Sequence, residues 1–568
     1  MPDESNLLDD FVHEPRTAYF SMEIALRSDI PTYAGGLGVL AGDVVRTAAD
    51  LDLPLVGVSL VSRAGYFRQE IDAQGRQIEH EDRWDPAAHC VPLKAAVAIP
   101  VEGRDVWVFA WLFVVSSATG GRTPVILLDT DLPVNHHEDR DITHFLYGGD
   151  QAYRLKQEAV LGIAGTRMLR ALAFNITQYH MNEGHAALLA LELLRENRYS
   201  RNDLRPGESP YDLHRVRQLC NFTTHTPIEA GHDKFPYELV RQILGEIVEL
   251  PTLKATAGDQ ALNMTLLALN LSDYVNGVAK RHAEVSRKLF PGFQLHSITN
   301  GVHPFTWTAP SFAKLFDRYV PGWAYEPELL IRADTIADAE IESAHLDAKD
   351  RLIGAVKRTA NVTLQRDLPI LGYARRMTAY KRPDLLFSDL ARLRSIAQRY
   401  PFQIVLAGKA HPRDVAGKEM IKLLHDHARE LEGVIPVAFV PNYDMQSAAT
   451  IIAGVDVWLN TPLPPLEASG TSGMKAAFNG VPQLSVLDGW WAEACIEGVT
   501  GWAIGEPSES PEGHARSLYD KLEHAVLRRF YEDRPGWIGL MKSAIAKNAV
   551  SFNSHRMMRR YVSEAYLR

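Results

Sequence analysis

Residues 455–475 read VDVWLNTPLPPLEASGTSGMK. The first six form a largely apolar run of strand length. A proline-rich loop follows, then a glycine-rich turn that opens a helical pattern over Met474–Asn479. Comparable runs lie on both sides: LPILGYA (368–374), FQIVLAG (402–408), VIPVAFV (434–440) and VPQLSVL (481–487), each followed by a polar loop. Helical patterns such as Met420–Leu431 fall between them. Strands covered on both faces have no polar side, so unbroken apolar runs alternating with helices predict a parallel, doubly wound α/β sheet.

The N-terminal half is also α/β but less regular. Leu55–Leu60 and Ile176–His180 read as buried strands beside glycine-containing loops and helices, and 97–131 is strand-rich. At 568 residues the chain exceeds one core, so we place a first domain over 1–301 and a second over 302–550. A basic terminal helix over 551–568 lies outside the alternation and is expected to cross back to the first domain. Ligands of doubly wound sheets bind beyond the carboxyl ends of the strands, so the loops there are where chemistry is sought.

Composition excludes several classes. The net charge is −10, with no basic excess for nucleic acid or anionic membrane. The longest apolar run, Val106–Val115, is about half a membrane span and reads as a buried strand. Three separated cysteines form no CxxC pair, and the acidic N-terminus carries no apolar leader; a reducing, cytoplasmic setting is expected.

Three loops carry candidate chemistry. Gly470–Lys475 sits where a strand passes into a helix, and free N–H groups there bind anions. It is no Walker loop, because the glycine spacing differs and Ala476 stands where Ser or Thr is required. An ordinary tight turn with a surface lysine remains the alternative. Arg375–Arg382, RRMTAYKR, directly follows a strand and offers forked donors for phosphate, or else a solvated basic helix start. Gly35–Gly38, GGLG, permits close backbone approach, as does any turn before a helix. No His/carboxylate spacing marks a metal site and no GxSxG loop marks a serine hydrolase.

Together these segments resemble the glycogen/starch/maltodextrin phosphorylases, the α-glucan phosphorylase family. The family pattern EASGTGNMK appears as EASGTSGMK, and KRxxxYKR as RRMTAYKR. GGLG, RLKQE (154–158), NEGHAALLALELL (182–194), THTPIEAGHDKFP (224–236), ITNGVHPFTW (298–307), AGKAHP (407–412) and PNYD (441–444) follow in the family's order. The variants look like the short bacterial and archaeal branch.

The resemblance implies a GT-B fold, two doubly wound Rossmann-like domains with an interdomain cleft, and pyridoxal 5'-phosphate in that cleft. It implies phosphorolysis of α-1,4-glucan ends by inorganic phosphate, giving glucose 1-phosphate with retention. Lys475 matches the cofactor's Schiff-base lysine. Gly470, Thr471, Ser472 and Arg375 match the residues around the cofactor phosphate, and Tyr443 and Trp307 those beside the cofactor. Arg376, Lys381 and the Gly36 N–H, with Gly35 beside it, match the phosphate site. Asn300, His225, Glu467, Ser469, Gly470 and Tyr380 match contacts to the glucosyl unit. His225 is expected to stabilise charge through its carbonyl or ring. Two phosphates carrying about −1.5 each, about 5 Å apart at an effective dielectric near 20, repel by roughly 7 kcal/mol, which explains the cluster of cations. A homodimer is a further family expectation.

The departures are Arg375 where the family has Lys, Ala34 where it has Asn before GGLG, and Glu183 where Asp is common. The rival readings are a sugar-nucleotide-dependent glucosyltransferase similar to glycogen synthase, and an inert glucan-binding protein. The first has no need of the EASGTSGMK lysine. The second has no need of Lys475, Arg376 and Lys381 together.

Overall fold

The computed structural model describes residues 4–200, 204 and 208–567. Two large sheets organise it. The first contains β1 (Arg16–Ser21), β2 (Leu55–Leu60), β3 (Val91–Val101), β4 (Arg104–Ser116), β5 (Arg122–Asp129), β6 (Ile176–Asn182), β7 (Cys220–Thr224), β8 (Tyr274–Gly277) and β9 (His296–Ser297). Their order is β9-β8-β7-β6-β1-β2-β5-β4-β3. Pairing is parallel from β9 to β5 and antiparallel across β5, β4 and β3. The strand-rich stretch is therefore an antiparallel flank, turned at Glu102-Gly103, where both residues have positive φ.

The second sheet is wholly parallel. It contains β10 (Ile370–Ala374), β11 (Gln403–Ala407), β12 (Val437–Val440), β13 (Val457–Asn460), β14 (Gln483–Val486) and β15 (Gly501–Ile504). The order is β12-β11-β10-β13-β14-β15. The winding direction reverses between β10 and β13, and a crevice opens beyond the strand ends at such a reversal.

The strands are buried on both faces, as their unbroken apolar character predicts. In β1, Ala18 and Phe20 enter one core while Tyr19 enters the core on the opposite face. The chain changes core between Ile298, which packs with the first sheet, and Val302, which packs with the second. It changes again between Phe552 and Met557: Met557, Met558 and Tyr561 of helix Ser554–Tyr561 pack against Leu40 and Val44 beside the first sheet. The crossing is tight. A side chain at Gly301 would meet the Asn553 carbonyl at 2.1 Å, and Val302 donates to Phe552 O at 3.2 Å. Among the described residues no helix is long and apolar enough to cross a membrane.

Candidate active site

The reversal of the second sheet brings two charged loops together. Arg375 follows β10, and its Nη1 donates to Asn460 Oδ1 at the end of β13, at 2.8 Å. Its Nη2 donates to Glu467 Oε2 at 2.5 Å, and Lys381 Nζ reaches the same carboxylate at 2.7 and 2.8 Å. Burial alone would raise the Glu467 pKa, but Arg375 and Lys381 overcome it and hold the carboxyl down at about 2. Two of the three cations expected to face phosphate, Arg375 and Lys381, thus share one buried carboxylate.

RRMTAYKR is not a solvated helix start: Lys381 and Arg382 are buried, in and just after a short 3-10 turn over Ala379–Lys381. Its four cations divide. Arg382 donates to Thr461 O and Pro462 O and serves the backbone. Arg376 is exposed, and its charge, after burial, depresses the pKa of His411. Lys381 Nζ lies 4.5 Å from the Tyr380 ring centre.

The glycine turn holds the lysine. Gly470 has φ +74°, a conformation natural to glycine, with the Glu467 carboxyl 3.4 Å from where a Cβ would stand. Helix Ser472–Ala477 begins there, and Trp458 Nε1 donates to Ser472 Oγ at 3.0 Å. Ser469 Oγ and Arg375 Nε are buried and have no hydrogen-bond partner among the described residues. At Gly473 a Cβ would lie 1.5 Å from Gln483 Oε1, so the Gln483 carboxamide fills the space a side chain would take. Lys475 Nζ stands 3.8 Å from the Trp307 ring centre. Burial lowers its pKa to about 8, with Asp43 opposing the shift. Trp307 is fixed in turn: its Nε1 donates to Asp43 at 2.9 Å, and Asn479 Nδ2 donates to Trp307 O at 2.8 Å and to Lys475 O at 3.1 Å.

The first sheet supplies the facing loops. Glu23, just beyond β1, accepts from Ala34 N at 2.6 Å and Gly35 N at 3.0 Å. That carboxylate orders the turn in which Ala34 departs from the family pattern. The turn opens helix Gly36–Asp50, and the space beside Gly35 and Gly36 is open, with nothing within 4 Å of a Cβ at either. His225 donates from Nε2 to Asn182 Oδ1 at 2.6 Å, and burial lowers its pKa to about 4. Glu183, at φ +75°, accepts from His225 N at 2.8 Å and Thr226 Oγ1 at 2.9 Å. Asn300 is buried, and its Oδ1 has no partner among the described residues. Tyr443 OH lies 3.5 Å from Ala374 O, beside Arg375.

The fold also assembles Glu158, His185 and Asp233, which no spacing in the sequence revealed; their ligand-type atoms lie within 4.8 Å of one another. Arg154 Nε stands 3.7 Å from both carboxylates and supplies positive charge there.

Comparison with known proteins gives the family. The family described as "Carbohydrate phosphorylase" matches residues 251–497. A maltodextrin phosphorylase of Thermococcus litoralis is 40% identical, aligned over 97% of this chain and 70% of its own length. The chain belongs to the carbohydrate phosphorylases. A glycogen phosphorylase of Mycobacterium tuberculosis is 36% identical over the same shares. An uncharacterized protein of Methanocaldococcus jannaschii, 30% identical, aligns over 97% of this chain and 99% of its own. The family resemblance drawn from EASGTSGMK therefore holds for this carbohydrate phosphorylase.

Several residues that shape the site were not singled out from sequence. Glu23 and Asp43 are acids beside GGLG, and Asp488, whose burial raises its pKa to about 6, accepts from Glu467 N at 2.9 Å. The available signal was a carboxylate directly after a buried apolar run: Glu23 follows β1 and Asp488 follows VPQLSVL.

Proposed function

We propose that the chain is a pyridoxal-phosphate-dependent α-glucan phosphorylase of GT-B architecture, with domains over 1–301 and 302–550 and the segment 551–568 returning to the first. The observation that carries the reading is Lys475. It is a buried amine with a lowered pKa, lying on an indole and bonded to no carboxylate among the described residues. Such an amine is neutral in a substantial fraction near pH 8 and suits a carbonyl-bearing cofactor. The donor set fits the cofactor's other end: the Gly470–Ser472 turn and Arg375, whose Nε has no partner among the described residues, would hold its phosphate, with Tyr443 and Trp307 alongside. Bound there, pyridoxal phosphate supplies an ionisable phosphate beside the substrate phosphate.

The chain's own residues do the rest. Arg376, Lys381 and the Gly36 N–H bind inorganic phosphate. Lys381 is shared between that phosphate and Glu467. Asn300, Tyr380, Glu467, Ser469 and the Gly470 backbone hold the glucosyl unit, and the His225 carbonyl faces charge developing on it. Inorganic phosphate gives a proton to the glycosidic oxygen, the shortened glucan leaves with that proton as its new 4-hydroxyl, and the same phosphate captures the anomeric carbon from the face the glucan left, which yields glucose 1-phosphate with retention; keeping water out leaves phosphate as the acceptor. A sugar-nucleotide transferase has no use for a buried neutral lysine at 475.

Borohydride reduction of the protein incubated with pyridoxal phosphate, followed by peptide mass spectrometry, tests the reading. An adduct on Lys475 is expected. Adducts scattered over surface lysines, with Lys475 unmodified, would refute it.

A further inference from the structure

A short hairpin of the first domain, Arg68–Ile71 paired with Gln77–His80, reaches the loops that carry the cations and Tyr443. Two of its side chains, Gln69 and Gln77, are buried. Gln69 N donates to Asn442 Oδ1 at 3.0 Å, and Asn442 N donates to Gln69 Oε1 at 2.9 Å, a closed two-bond ring. Gln69 Nε2 donates to Gly408 O and to Gln77 Oε1, both at 2.8 Å. Gln77 in turn receives Ala410 N at 3.0 Å and donates to Ala410 O at 2.9 Å. Neither carboxamide has an orphaned polar atom. Two buried amides satisfied in this way fix geometry, because moving either partner leaves several groups unpaired.

What they fix lies one bond further on. Asn442 has φ +54° and immediately precedes Tyr443. Gly408 is held against Arg375: a Cβ there would lie 2.0 Å from Arg375 O. Arg375 N donates to Ala407 O at 3.2 Å, and Met377 N to Lys409 O at 3.0 Å, so the loop gripped by the glutamines is bonded to the backbone on both sides of Arg376. Lys409 Nζ adds a bond to Phe67 O at 2.8 Å, and Lys418 pairs with Glu79 at 2.7 Å.

We infer that Gln69 and Gln77 are positioning residues: from the domain that carries GGLG, they set the placement of Arg376 and Tyr443 for phosphate and cofactor. The inference rests on the proposed phosphorolysis for the meaning of those loops. The glutamines touch neither reacting group; they act through backbone. A displacement of about 1 Å in such loops costs up to roughly 100-fold in rate.

The test uses the full chain loaded with pyridoxal phosphate. Glucose 1-phosphate formation is measured at varied phosphate and at varied maltodextrin. The circular dichroism of the bound cofactor and the melting temperature are read alongside. For Gln69→Ala and Gln77→Ala the apparent KM for phosphate should rise roughly ten-fold or more. The KM for maltodextrin should move far less, and the cofactor signal should change. Gln69→Glu keeps the acceptor for Asn442 N but turns a carboxylate oxygen toward two acceptors, Gly408 O and Gln77 Oε1, so it should lose at least as much as Gln69→Ala. Arg76→Ala, whose side chain bonds only within the hairpin, should match the unmodified protein. Should Gln69→Ala fail to fold, Gln77→Ala carries the comparison. Unchanged phosphate KM and cofactor signal in folded variants would overturn the inference, as would equal loss for both substrates together with a lowered melting temperature. An unmodified protein that forms no glucose 1-phosphate defeats the functional reading instead, and the cofactor signal of the variants then decides positioning alone.

Discussion

Lys475 Nζ lies 3.8 Å from the centre of the Trp307 ring, and Trp307 is itself bonded through Nε1 to Asp43. The lysine comes from the second sheet's glycine turn, the indole from the stretch where the chain changes core, and the carboxylate from the helix after GGLG. Three distant segments thus build one environment for one amine.

That environment sets a pH dependence. Burial holds the Lys475 pKa at about 8, below the ordinary lysine value, so the neutral amine is present at lower pH than in free lysine. The rate of pyridoxal phosphate attachment, followed by absorbance, should therefore rise with pH, reach half its maximum near pH 8 and level off above it. A midpoint near 10 would mean that the amine is solvated.

Glu467 joins Arg375 to Lys381 in a buried cluster. Glu467→Gln removes the charge that both cations share and should lower stability by about 3–5 kcal/mol, measured by denaturant unfolding. Inorganic phosphate should restore part of the loss, with a larger rise in melting temperature than in the unmodified protein. The folded pKa of Glu467 is depressed to about 2, so its contribution is complete above the unfolded value near 4.3 and is lost as pH falls from there toward 2.

Gly473 has no room for a side chain, because Gln483 Oε1 occupies the place. Gly473→Ala should cost about 1–3 kcal/mol. Adding Gln483→Ala to that variant reopens the space, so the double variant should be more stable than the sum of the two single losses, a coupling that a double-mutant cycle measures.

The basic loop should separate into two behaviours. Arg376 is exposed with no described side-chain hydrogen bond, so Arg376→Ala should raise the phosphate KM roughly ten-fold, about 1.4 kcal/mol, while leaving the melting temperature near its original value. Arg382 holds Thr461 O and Pro462 O, so Arg382→Ala should lower stability by about 2 kcal/mol or more and affect phosphate KM less.

Much of this was legible in the residues. Five of the six parallel strands of the second sheet announce themselves because burial on both faces removes every alternating polar position; β15, Gly501–Ile504, is too short and glycine-led to stand out. The turn at 470–475 and the basic loop at 375–382 were marked by strand-to-loop transitions. The antiparallel flank formed by β3, β4 and β5 was not, since long partly apolar runs are compatible with either pairing. Nor were Asp43, Gln69 and Gln77 visible: each acts on a partner more than 250 residues along the chain, and pairings of that kind leave no periodicity. The division of labour between Arg376 and Arg382, six residues apart, became readable only once burial separated them.

The central claim is phosphorolysis, and product analysis tests it most directly. The protein loaded with pyridoxal phosphate is incubated with maltodextrin and inorganic phosphate, and in parallel with maltodextrin and a nucleotide sugar. Glucose 1-phosphate appearing only with inorganic phosphate is the predicted result; glucosyl transfer from the nucleotide sugar with no glucose 1-phosphate from phosphate would contradict it.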